Sequence, residues 1–102
     1  VSVEHWNESI DGQLSEEAMR RKLEGLGYSV TRYTYPSGTY FGEHNHGVDK
    51  IDAVLSGRFC ITLGGQSAIL EAGDFIHVPR GTVHTAEVGG SESVVSLDAI
   101  KG

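Results

Sequence analysis

The stretch Arg58-Phe-Cys-Ile-Thr-Leu63-Gly64-Gly65-Gln-Ser-Ala-Ile-Leu70-Glu-Ala-Gly73-Asp-Phe-Ile-His-Val78-Pro79 decides the kind of fold this chain adopts. Apolar and polar residues alternate along much of it, with β-branched and aromatic types among the apolar ones, the mark of half-buried strands. Gly64-Gly65 stands between two such runs. That is a tight-hairpin signal, because the favoured two-residue turn demands positive φ at both central positions. Ala72-Gly73-Asp74 makes the next corner. The reading is three short strands: Arg58–Leu63, Ser67–Leu70 and Phe75–Val78.

The same punctuation continues outward. Downstream, His84–Val88 and Ser93–Ile100 read as strands around Gly89-Gly90. Upstream, Thr39–Gly42, His44–His46 and Ile51–Leu55 lead into the Ser56-Gly57 turn. Tyr28 to Tyr35 also alternates and is closed by Pro36-Ser37-Gly38. Many short strands at this spacing predict an all-β sandwich or small barrel. Helical spacing is confined to Leu14 through Leu26. There Ser15 is the N-cap, Glu16 and Glu17 occupy the first turn, and Leu14, Ala18, Met19, Leu23 and Leu26 form a stripe broken by Lys22. Gly27 ends the helix. The first residues lack periodicity, and Trp6 and Ile10 are expected to dock on a neighbouring surface. The expected division is residues 1–27 as an N-terminal extension with a short helix and residues 28–102 as the β-barrel, in one folding unit.

Composition narrows the function classes. A chain of 102 residues is the size of one domain. Eight Lys and Arg against 14 Asp and Glu leave no basic face for nucleic acid or an anionic membrane. No apolar run approaches the ~18 residues of a membrane span. Val1 to Ile10 lacks the basic-then-apolar order of a secretory signal. Cys60 is alone, so no internal disulfide forms, and the cytoplasm is the expected location. With no basic neighbour, Cys60 is expected to serve as a small buried hydrophobe. A homodimer is expected, since a barrel this small leaves sheet edges and an apolar face to cover. The N-terminal segment is the natural piece to cross over.

Chemistry concentrates in the histidines. His44 and His46, two apart on a predicted strand, point to one face with Cα atoms ~7 Å apart. Such a pair alone is weak evidence for a metal. His84 strengthens it, following a Pro79-Arg80-Gly81 turn that leads into a strand. His77 belongs with Phe75 on the face opposite Ile76 and Val78, and so points away from the site. Tyr33, Tyr35, Tyr40 and Phe41 are expected to pack or to line a pocket.

These segments resemble the two motifs of the cupin superfamily. Gly38-Thr-Tyr-Phe-Gly-Glu-His44-Asn-His46-Gly-Val-Asp-Lys50, followed six residues later by Gly57, is similar to the first: glycine, five residues, His-x-His, three or four residues, glutamate, six residues and glycine. Gly73-Asp-Phe-Ile-His-Val-Pro79-Arg-Gly81-Thr-Val-His84 is similar to the second: glycine, five residues, Pro-x-Gly, two residues and histidine. The resemblance implies a jelly-roll (double-stranded β-helix) barrel with His44, His46 and His84 as metal ligands. Two positions depart from it. The family's glutamate ligand falls on Lys50, and its final asparagine on Val88.

Lys50 raises an electrostatic question. An ammonium ~5 Å from a divalent ion is repelled by roughly 6–7 kcal/mol at an effective dielectric of 20. Either Lys50 turns away, or it loses its proton, or a carboxylate compensates. If Lys50 faces inward, Asp52 does too, by the strand's period of two. A Lys50–Asp52 pair beside the ion is the preferred arrangement, Asp52 bound directly to the metal is a variant, and Asp49 or Glu43 are loop alternatives. A solvated Lys50–Asp52 pair at the barrel rim is an equal competitor. Three imidazoles suit iron, nickel, zinc, manganese or copper and leave positions for a small molecule. The resemblance implies an oxygenase or isomerase of a small polar molecule, in which an inward Lys50 or Asp52 moves a proton. The alternative is a non-catalytic binding or sensing domain.

Overall fold

The computed structural model describes residues 2–101. Nine strands and two helices follow in chain order: β1 (Val3–His5), α1 (Glu8–Asp11), α2 (Glu16–Gly25), β2 (Ser29–Tyr35), β3 (Tyr40–His44), β4 (Asp49–Ser56), β5 (Arg58–Leu63), β6 (Gln66–Leu70), β7 (Asp74–Val78), β8 (His84–Gly89) and β9 (Val94–Lys101). They form two antiparallel sheets, one ordered β1-β7-β4-β9-β2 and the other β3-β8-β5-β6. The all-β jelly-roll expectation holds.

Period two decides which side chains meet where. Along β4, Val54 joins the cluster between the sheets, with Phe59, Ile61, Leu70, Ile76, Val78 and Val94. Ile51 and Ala53, one step out of phase, join Met19, Leu23, Phe75, Leu97 and Ala99 on the outer face of the five-stranded sheet. That sheet is therefore buried on both faces, and β4 is buried without a break from Lys50 to Val54, its charged residues included.

The outer cluster exists because α2 lies on it. Ser15 caps the helix, its hydroxyl accepting from the Ala18 N–H at 3.0 Å. At the other end Gly27 takes φ +93°, its N–H bonds the Glu24 carbonyl, and the Tyr28 N–H bonds the Leu23 carbonyl. This is the Schellman arrangement, and it turns the chain into β2. Lys22, which interrupts the stripe, sends its ammonium to Asp11 at 2.8 Å, between the rings of Trp6 and Phe75.

Several sequence expectations need correction. The first residues are not featureless: β1 pairs with β7, and α1 follows. Trp6 docks as expected, on the chain's own outer cluster, with its indole N–H donating to the Gly12 carbonyl at 2.8 Å; Ile10 does not dock and is 80 % exposed. The face that a crossing segment was expected to cover is thus covered by the chain itself. Cys60 is half-buried rather than fully buried, because its phase on β5 is opposite to that of Phe59 and Ile61. Among the described residues no helix is long and apolar enough to cross a membrane.

Candidate metal centre

Three histidines converge at one end of the space between the sheets. His44 ends β3 and His84 opens β8, and the two stand directly opposite in the antiparallel register. A register shift between Phe41 and His44 lets this pairing coexist with Phe41 opposite Ala86. His46 does not lie on a strand, as had been expected. The strand stops at His44, and His46 sits in the connection to β4. One backbone bond holds that connection, the Gly81 N–H donating to the His46 carbonyl at 2.9 Å, and the Asp49 carboxylate at the start of β4 accepts from the Arg80 N–H at 2.8 Å. The Pro-x-Gly turn thereby holds one histidine and launches another.

The donor set suits a metal. One ring nitrogen from each of His44, His46 and His84 lies within 4.8 Å of the others. His44 Nδ1 bonds the Gly42 carbonyl at 2.6 Å, and His84 Nδ1 bonds the Thr82 carbonyl at 2.8 Å. A carbonyl only accepts, so both Nδ1 atoms carry a proton, and in the neutral ring that leaves the lone pair on Nε2. His46 Nε2 is buried and has no hydrogen-bond partner. An orphaned buried nitrogen is costly unless something binds it. Burial first, and then the positive charge of Lys50, lowers the pKa of His46; burial also lowers that of His84. Neutral imidazole is the metal-binding form. These residues fit a divalent ion.

Lys50 faces inward and is only 8 % exposed. Its Nζ lies 3.1 Å from Asp98 Oδ2 and 3.6 Å from Asp52 Oδ1. Burial works against its charge, but the two carboxylates outweigh burial and its pKa is raised. The predicted Lys50–Asp52 pair is present and buried, not a solvated pair at the rim. Asp98, which sequence reasoning missed, is the closer partner. Asp52 and Asp98 stand directly opposite on β4 and β9. Burial, then the Asp98 charge, pushes the Asp52 pKa up to about 7. The converging group contains no carboxylate, and Asp52 does not reach it. Asp49 is engaged with the Arg80 backbone, and Glu43 lines an outer groove instead. His77 is exposed on the outside, as expected, and His5 pairs with Asp74 at 2.6 Å.

Beside the histidines lies a cavity of about 180 Å³ lined by Tyr35, Phe41, Phe59, Ala86, Lys50 and Asp98. Tyr35 and Phe41 meet edge to face with centroids 4.9 Å apart, and Tyr35 stacks against Phe59 at 5.8 Å. One wall is thus aromatic, while the histidines and the Lys50–Asp98 pair provide the polar groups. That volume lies below the range usual for a drug-sized ligand pocket.

Residues 31–100 match the family model of the cupin domain. The chain belongs to the cupin family. This cupin is 38 % identical over 62 residues to an acireductone dioxygenase of Synechococcus sp. (strain CC9902), covering 57 % of this chain and 33 % of that protein. It is 34 % identical over 56 residues to an uncharacterized protein of Streptomyces coelicolor, covering 55 % of this chain and 53 % of that one. The chain thus spans between a third and about half of the curated relatives it matches. Among solved structures it is similar to a predicted oxalate decarboxylase from Thermotoga maritima, with TM-score 0.66, 26 % identity, and coverage of 97 % of this chain and 77 % of that one.

Proposed function

We propose that this cupin is a metal-dependent enzyme of the oxygenase or isomerase kind, acting on a small polar molecule, with His44, His46 and His84 holding the ion through Nε2. The observation that carries this reading is the orphaned, buried His46 Nε2 beside two histidines whose tautomers free the same atom. When bound, iron, nickel, zinc, manganese or copper supplies Lewis-acid or redox chemistry at an oxygen of that molecule.

The chain's own residues do the rest. Tyr35, Phe41 and Phe59 exclude water and orient the ligand's apolar part. Lys50 presents an ammonium to the cavity that donates a hydrogen bond to an anionic oxygen or yields a proton to it. Asp52, buried behind Lys50, is the proton store for that transfer, and its raised pKa suits the task. The similarity to an acireductone dioxygenase supports oxygen chemistry on a small substrate. A cytoplasmic homodimer belongs to the same proposal, and a single-chain mass at micromolar concentration contradicts the dimer.

A ligand set without a carboxylate also favours a second reading, a binding or sensing domain without turnover. The test loads the protein with Fe(II) or Zn(II) and supplies small hydroxy acids, enediols and thiols. Saturable turnover that is lost in a His44→Ala/His46→Ala variant supports the enzyme. Tight binding without turnover supports the sensor, and neither binding nor turnover overturns both.

A further inference from the structure

Lys50 stands where a cupin metal site that uses glutamate has its anionic ligand. An ammonium and a divalent ion in one small cavity repel, and three neutral imidazoles bring no charge to offset them. The structure contains an answer that sequence reasoning did not supply. Asp98 projects from β9 into the same cavity, and its Oδ2 lies 3.1 Å from Lys50 Nζ. Lys50 pairs with Ile100 across the β4–β9 ladder, so Asp98 is its diagonal neighbour on one face. Asp98 is also the carboxylate that lines the cavity together with the histidines; Asp52 lies beyond it.

We propose that Asp98 is the site's counter-ion: it neutralises Lys50 and does from β9, at one remove, what a carboxylate ligand would do from β4. This rests on the three-histidine reading. Asp98 acts here through Lys50, as a positioning residue, and the proposal assigns it no contact with the metal. A plain structural ion pair predicts something different. For such a pair, neutralising either partner alone changes stability and leaves the cavity's affinity for a cation unchanged.

The test is zinc affinity by chelator competition, together with the melting temperature of each metal-free protein, for D98N, D98E, K50M and the K50M/D98N pair. D98N leaves the ammonium only its longer contact to Asp52, which does not line the cavity, and zinc affinity is expected to fall by about tenfold. D98E keeps the charge and stays within about threefold of the wild type. K50M removes the repulsion and tightens zinc by about tenfold, while the double variant returns to within about threefold of the wild type. Folded variants that all bind zinc like the wild type overturn the proposal, whatever their melting temperatures do. If D98N fails to fold, K50M decides: tighter zinc supports the counter-ion role, and equal or weaker zinc overturns it. A wild type that takes up no zinc removes the three-histidine reading, and this proposal with it. Wild-type uptake with unchanged D98N removes this proposal alone.

Discussion

At position 52 a carboxyl group is only 6 % exposed, faces Asp98 across the sheet, and has one oxygen without a hydrogen-bond partner. Burial and the Asp98 charge raise its pKa from 3.8 to about 7. Over that window the folded protein holds a proton that the unfolded chain has released. Stability from this group is therefore complete below the lower pKa and is lost as pH rises through the higher one. Thermal melts of the metal-free protein between pH 4 and 8 are expected to show this loss, and Asp52→Asn is expected to flatten it. An unchanged pH slope in the variant contradicts the assignment. Lys50 and Asp52 were legible in the sequence because period two puts both on one face. Asp98 was not, although a charge inside the apolar run Val94-Val-Ser-Leu-Asp98-Ala-Ile was the available signal. What it lacked was a partner: cross-strand register, not the sequence of either strand, brings Asp98 to Lys50.

At the scale of elements, the strands were legible from alternation and glycine corners, and α2 from its cap and stripe. Ser15→Ala removes the cap's acceptor and is expected to cost about 1 kcal/mol, read by chemical denaturation. Leu23→Ala opens a void between α2 and the sheet and is expected to cost about 2–5 kcal/mol in the same experiment. A loss below about 1 kcal/mol would mean that the helix does not hold the outer face. Gly57 is the corner with least freedom. Its φ is +84°, and a Cβ there would sit 2.4 Å from the Ser93 carbonyl oxygen. The end of β3 was the element least legible in advance. His44 and His46 read as one strand, yet the chain leaves the sheet after His44, where the links to Gly81 and Arg80 hold it. Those tertiary bonds have no trace in local spacing.

For the whole molecule, the N-terminal segment and α2 close one outer face, and the two sheets enclose the histidines. Removing residues 1–27 would expose Ile51, Phe75, Leu97 and Ala99 and free the edge of β7 now paired with β1. Such a truncation is expected to aggregate or self-associate on a sizing column, and a soluble, folded monomer would contradict this account of the outer cluster. The family was legible from two spaced motifs because their glycines, proline and histidines sit where the barrel turns. The consequence of the Lys50 departure became legible only once the sheets had closed and Asp98 was in place.

The most direct measurement is metal content by elemental mass spectrometry, on the wild type and the His44→Ala/His46→Ala variant, each purified without added metal and again after reconstitution. The account predicts near-stoichiometric transition metal in the wild type and none in the variant. No metal in the wild type even after reconstitution, or equal metal in both, would contradict it.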